Sequence, residues 1–237
     1  MHPIKISDLR FKYEEAQKNI LDGINLELAA GKITAILGLS GCGKTTLCYC
    51  MCGIIPHIYH GHLDGEILLF GNPLHKMELS RIARSIGIIF QDPDTQLFSP
   101  TVEDEIAFGP ENLCLDREEI AQRIEICLKL VNMEKHRFEH PENLSGGEKQ
   151  LIAIASVLAM DPDLLIFDES LAQIDADGKE RVKNVMLQLK TLGKSVVLVE
   201  HDPDNLAIAD DIFFLKSGKL EAINITNKRE FDELYKI

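Results

Sequence analysis

The chain has 237 residues, of which 45% are hydrophobic and 27% charged, enough for one large globular domain or a core with a subdomain. A formal charge of −13 argues against a nucleic-acid partner, since phosphate backbones demand clustered Lys and Arg. No apolar run approaches bilayer-spanning length and residues 1–5 hold no signal-type segment, so a cytosolic protein is expected, with its six cysteines as free thiols.

Residues 4–13 and 23–28 alternate apolar and polar side chains, the pattern of strands with one buried face. The polar linker 14–19 between them reads as a turn. Tyr13 closes the first strand, where its ring can stack on an adenine or pack against a neighbouring side chain. Residues 33–37 are a short β-branched run, read as a buried parallel strand, and residues 45–51 read as a helix. Between them stands Gly38-Leu39-Ser40-Gly41-Cys42-Gly43-Lys44-Thr45, with Thr46 behind it, which fits G-x-x-x-x-G-K-[ST]. Its glycines let the backbone wrap a polyphosphate and aim N–H groups at it, and the helix N-terminus adds partial positive charge. Lys44 is expected on the β- and γ-phosphates and the Thr45 hydroxyl on Mg²⁺. A bound nucleoside triphosphate follows.

Residues 56–62, Pro-His-Ile-Tyr-His-Gly-His, have metal-like histidine density. No cysteine pair or carboxylate stands at a ligand spacing, so a surface loop is expected there. Cys48 and Cys52 share a helix face while Cys50 points elsewhere, which fits small core residues better than ligands of one ion. Residues 65–72 read as a strand closed by a turn, and residues 84–91 as an apolar strand ending on Gln91. Asp92-Pro93-Asp94 breaks that pattern, and helices are expected over 102–108, 117–131 and 146–160. This suggests a helical subdomain, 92–160, inserted into an α/β core formed by 1–91 and 161–237. Residues 163–169 return to a buried strand ending in Asp168 and Glu169, and residues 195–201 to another ending in His201. An antiparallel pair, 211–216 and 219–224, and a short polar helix finish the chain.

Open parallel sheets bind ligands outside the carboxyl ends of their strands. Lys44 with Thr45, Gln91, Asp168 with Glu169, and His201 all fall there. Phosphoryl transfer to water needs charge neutralisation and a positioned nucleophile rather than covalent help. Asp168 is the expected Mg²⁺ anchor and Glu169 can polarise the attacking water. Gln91 can touch Mg²⁺ or that water, and His201 can hydrogen-bond the γ-phosphate. Leu144-Ser145-Gly146-Gly147-Glu148-Lys149-Gln150 adds a second anion site, with Ser145 as N-cap and two glycines at a helix start. It has no obvious use within its own chain, which suggests a nucleotide held by a second subunit.

Taken together these motifs resemble the ATP-binding subunits of ABC transporters over essentially the whole chain. The resemblance makes 38–45 the Walker A loop, Gln91 the Q-loop glutamine, 144–150 the signature and 164–168 Walker B. It makes Glu169 the catalytic base, 170–175 the D-loop, His201 the switch histidine and Tyr13 the adenine platform. The fold implied is α/β: a RecA-like P-loop core with N-terminal antiparallel strands and the inserted helical subdomain. Residues 91–98 and 101–109 resemble energy-coupling-factor ATPases, which serve vitamin and cobalt or nickel importers. That implies a second ATPase subunit, a transmembrane subunit docking near residues 92–112, and a place on the cytoplasmic face of the membrane. Within 92–112, the side chains of Leu97, Phe98, Val102, Ile106 and Phe108 are expected to offer a groove, with Glu103, Asp104 and Glu105 as an acidic rim for a basic partner helix. The chain departs from the family where Ser170-Leu171-Ala172 lack its proline and threonine, at Glu148 and at Leu151. It also ends earlier than many such ATPases, which implies reduced C-terminal dimer contacts. The rival readings are a soluble ABC ATPase outside transport and a non-catalytic regulatory subunit.

Overall fold

The computed structural model describes residues 2–223; the expected terminal helix, and Asn224 with it, lies outside them. Strands β1 (Ile4–Tyr13) and β2 (Leu21–Glu27) form an antiparallel hairpin, and β3 (Ile33–Leu37) then opens a second sheet. Helices α1 (Lys44–Met51) and α2 (Ile54–His57) lead back to β4 (Gly61–Leu69), which pairs with β1, and to the short β5 (Asn72–Pro73). Helix α3 (Leu79–Ser85) runs into β6 (Ile86–Ile89), and three helices follow: α4 (Val102–Asn112), α5 (Arg117–Val131) and α6 (Gly146–Leu158). The chain closes through β7 (Leu164–Asp168), α7 (Ala176–Thr191), β8 (Ser195–Glu200), β9 (Asp211–Lys216) and β10 (Lys219–Ile223).

One sheet has the order β2-β1-β4-β5 and the other β10-β9-β3-β8-β7-β6, with β9 through β6 parallel and β10 antiparallel to β9. Every residue of β3, β7 and β8 is buried, because both faces of that sheet are covered. The side-chain alternation of the strands divides them between two cores. Ile36, Ile166, Val197 and Val199 face α1 and the antiparallel sheet. Leu165, Phe167, Val196 and Leu198 face the helical side, where Ile152, Val182 and Met186 pack.

Several boundaries differ from the sequence reading for physical reasons. Residues 56–62 are loop only in part: Pro56 and His57 close α2, β4 begins at Gly61, and His62 lies opposite Lys12 of β1. Gly65 therefore sits inside the strand, at a bulge where Asp8 (φ 46°) and Gly65 (φ 93°) both turn left-handed. Arg84 and Ser85 belong to the last turn of α3, which passes into β6 with no glycine or proline between them. Helix α4 runs on to Asn112 with Pro110 in its final turn, and α6 stops at Leu158. Helix α7 was not read from the sequence at all. Its buried stripe, Val182, Val185, Met186 and Leu189, has helical spacing but is narrow in a heavily charged segment. Cys48, Cys50 and Cys52 are core residues, and burial pushes the Cys50 thiol up to about 12.

Candidate active site

The parallel register brings four strand ends to one edge. Leu37 of β3 lies opposite Glu200 of β8, Val199 opposite Asp168 of β7, and Phe167 opposite Ile89 of β6. The chain leaves these ends as Gly38, His201, Glu169 and, two residues past Ile89, Gln91. Apolar strand interiors thus deliver polar groups side by side where the sheet stops.

Lys44 is the first residue of α1, and its N-cap, Gly43, has φ 107°, a left-handed conformation that a side chain would strain. No side chain caps α1, so its first-turn amides remain available to an anion. The Lys44 side chain is only 3% exposed and uses its three donors on Gly38 O (2.9 Å), Leu39 O (3.1 Å) and Glu169 Oε1 (3.1 Å). On its other oxygen, Glu169 lies 3.8 Å from His201 Nδ1. Glu169 also has φ 51°, a conformation costly for a non-glycine residue and one that clusters at functional sites.

Asp168 is buried and its Oδ1 has no hydrogen-bond partner. Burial raises its pKa, against which the Thr45 hydroxyl hydrogen bond and the Lys44 charge act. A buried carboxylate oxygen without a partner beside a hydroxyl suits a hard divalent cation, so these two residues fit Mg²⁺. Tyr13 is half-buried at the end of β1, with its hydroxyl 3.2 Å from Thr46 Oγ1 and its ring edge-to-face with Phe11 at 4.8 Å. Strand β1 thereby sets an aromatic ring beside α1. Cys42 is half-buried in the loop, where burial raises its thiol pKa.

One residue at this edge escaped the sequence reading. Glu200 is 1% exposed; its Oε2 accepts from His201 N (3.2 Å) and Asp202 N (3.4 Å), while Oε1 has no partner. Its place as the last residue of an apolar strand was the available signal. Burial raises its pKa, partly offset by the two amides and by Asn205. The protonated form is the one the fold favours, so its contribution to stability is full below the ordinary carboxylate range and is lost as pH rises through the raised value. Glu200→Gln is accordingly expected to raise the unfolding temperature at pH 8, with the gain shrinking toward pH 4; calorimetry across that range checks it. An equal gain at both ends would contradict the assignment.

The second anion site is assembled separately. Ser145 caps α6 in a reciprocal box with Glu148: Ser145 N and Oγ donate to Glu148 Oε2 at 2.9 and 2.7 Å, and Glu148 N donates back at 3.4 Å. The Ser145 hydroxyl holds the Glu148 carboxyl below its ordinary range. The two glycines do different work. A Cβ on Gly147 would come within 3.2 Å of Gly178 Cα in α7, so its size is set by helix packing. Among the described residues, a Cβ on Gly146 would meet only Gln173 O at 3.8 Å, so none of them requires glycine there. Among the described residues, no hydrogen bond or ion pair joins 145–148 to 38–46.

A strand, a phosphate loop opening a helix, and carboxylates on the neighbouring strand ends define a P-loop nucleoside triphosphatase. The model of the ABC transporter family matches residues 21–172. The chain is 38% identical over 240 residues to the energy-coupling factor transporter ATP-binding protein EcfA1 of Mycoplasmopsis synoviae, covering 99% of this chain and 88% of that one. An ABC transporter ATP-binding protein of Methanosarcina acetivorans is 40% identical over 227 residues; 95% of this chain aligns, but it spans only 35% of that relative's length. Among solved structures, cbiO1 of Clostridium perfringens, described as part of the ABC transporter complex cbiONQ, is similar with a TM-score of 0.86 and 33% identity. That likeness covers 98% of this chain and 92% of that one. A bacterial Atm1-family ABC exporter with ATP bound has a TM-score of 0.76 at 26% identity, covering 93% of this chain and 38% of the other. The chain belongs to the ABC transporter family and carries its ATP-binding domain, the ATPase of that family.

Proposed function

We propose that the chain is the ATP-hydrolysing subunit of an energy-coupling-factor importer, driving uptake of a vitamin or a transition-metal ion through transmembrane partners. The carrying observation is two-way coverage: both EcfA1 and cbiO1 align along nearly their full lengths and nearly all of this chain. Among the described residues no helix is long and apolar enough to cross a membrane. The chain would then work at the cytoplasmic face.

The site supports hydrolysis as follows. Phosphate oxygens replace Glu169 and the two loop carbonyls as acceptors for Lys44. That exchange frees the Glu169 carboxylate to take a proton from the attacking water. His201, 3.8 Å from Glu169, orients it and reaches the γ-phosphate. Thr45, Asp168 and Gln91 would hold Mg²⁺, which supplies charge neutralisation on the β- and γ-oxygens. Tyr13 offers its ring to the adenine. Ser145, Gly146, Gly147 and Glu148 cover the nucleotide of a second ATPase, an identical copy or a close relative, and the unconstrained Gly146 supports that close approach.

Docking of the transmembrane subunit falls on the helical subdomain, 92–160. Phe98 is 66% and Phe108 47% exposed, and their rings meet edge-to-face at 4.8 Å. They flank a groove of about 360 Å³ that is also lined by Ile88, Gln96 and Met160. The expected set of groove residues is narrower than the sequence reading had it. Val102 and Ile106 are buried in the subdomain core, and Leu97 packs against that core. The acidic rim is not one either. Glu105 is 3% exposed and accepts from Phe98 N and Ser99 N, Glu103 is paired with Arg137, and only Asp104 faces solvent. The serine double mutant at Phe98 and Phe108 is therefore expected to lose the membrane partner while the isolated subunit keeps ATP affinity. Pull-down of the membrane protein that accompanies the native chain tests this. Undiminished capture with wild-type uptake would place docking elsewhere.

A further inference from the structure

Gln150 is fully buried in the first half of α6, as are its helix neighbours Leu151, Ile152 and Ile154. Its Nε2 donates to Phe90 O at 3.2 Å, and its Oε1 has no partner. A buried amide with an orphaned oxygen is destabilising, so stability alone does not account for it. The bond it makes lands on the residue immediately before Gln91. Phe90 is held from its other side too: its N–H donates to Gln96 Oε1 at 3.3 Å, and Gln96 Nε2 donates to Ile88 O at 3.4 Å. One residue earlier on α6, Lys149 Nζ reaches Asp94 Oδ1 at 2.6 Å, three residues after Gln91.

We propose that Gln150 and Lys149 are positioning residues for Gln91, fixing the segment that carries it to the signature helix at points before and after it. Residues 88–96 are tied to α6 by a neutral bond to the Phe90 carbonyl and a charged bond to the Asp94 side chain, so a shift of the segment around Gln91 strains or breaks these ties. Residues 145–148 start the same helix. On the proposed dimer reading, on which this step rests, the N-terminus of α6 faces the partner's nucleotide while Gln91 attends to the chain's own. The two ties then make the geometry of one site depend on occupancy of the other. Gln96 lines the groove beside Phe98, so a docked partner bears on the same segment.

The test compares steady-state ATP hydrolysis, ATP binding and unfolding temperature. Gln150→Met keeps the volume and removes the donor. Asp94→Lys, Lys149→Asp and their combination probe the charged tie. Gln150→Met is expected to lower kcat about tenfold, less than the ~10²-fold that a misplacement of 1 Å can cost. It should leave single-chain ATP affinity unchanged and the unfolding temperature no lower, because the orphaned oxygen goes too. Each single charge reversal should lower kcat and flatten its cooperative dependence on ATP, and the double reversal should restore both. Wild-type kcat in Gln150→Met, or a double reversal no better than the singles, overturns the proposal. If Gln150→Met fails to fold, the charge reversals decide the matter, since Asp94 is 67% exposed and its loss costs little stability. Failure of the dimer reading shows itself differently: no ATP-dependent mass change in any variant, with the kcat effects of Gln150→Met still present.

Discussion

Glu169→Gln is expected to lower ATP hydrolysis on the order of 10³-fold while ATP binding survives, within the range attributable to a general base. Glu169 follows Asp168 directly, is held in a left-handed turn, and has one oxygen on Lys44 and the other toward His201. The amide keeps an oxygen able to accept from Lys44, so the loop and the fold are retained. What it loses is the capacity to take a proton from water. The expected consequence is an ATP-bound form that persists, because the step that would dissolve it is blocked. Steady-state phosphate release is the measurement, and a rate near wild type would remove Glu169 from its assigned role.

Lys44→Ala should act earlier, on binding. Lys44 is the cation buried at the loop, and three acceptors converge on it. Truncating one partner of a buried, hydrogen-bonded charge pair costs about 2–5 kcal/mol, so ATP affinity is expected to fall roughly 30- to 4,000-fold. The mutation also takes from Glu169, 19% exposed, the ammonium that one of its oxygens contacts. The same variant should therefore unfold at a lower temperature as well. Titration calorimetry of nucleotide binding reads the first effect, and unchanged affinity would contradict the assignment. Glu169→Gln in the Lys44→Ala background should recover part of the stability and none of the binding, which separates the two roles of the pair.

What was legible in the sequence was what is local. The phosphate loop is a contiguous run whose geometry follows from Gly43 and the helix behind it, and the ends of β3, β7 and β8 are marked by unbroken apolar stretches. Ser145 with Glu148 is a four-residue capping pattern, equally local. Features that depend on distant chain were not legible. Gly65 looks like a strand boundary until Asp8 is seen to turn with it in the bulge. Gly147 shows no packing reason to be glycine until Gly178 is seen against it. The acidic run at 103–105 looks like one surface, yet helical rotation sends Glu105 inward to the amides of Phe98 and Ser99 and Glu103 to Arg137. Glu200 carries no motif, and the signature run that ends in Lys149 and Gln150 does not show what they bond; only the packing of α6 on β6 and the turn after β8 gives these three their partners.

The central claim is that ATP joins two ATPase subunits, with 145–148 of one against the nucleotide of the other. Light-scattering mass of the Glu169→Gln protein, with and without Mg·ATP at micromolar concentration, tests it most directly. The account predicts 26.6 kDa without nucleotide and twice that with it, and no doubling when Ser145→Arg is added. No ATP-dependent gain in mass, either alone or with the second ATPase that accompanies the native chain, or a gain that survives Ser145→Arg, would contradict it.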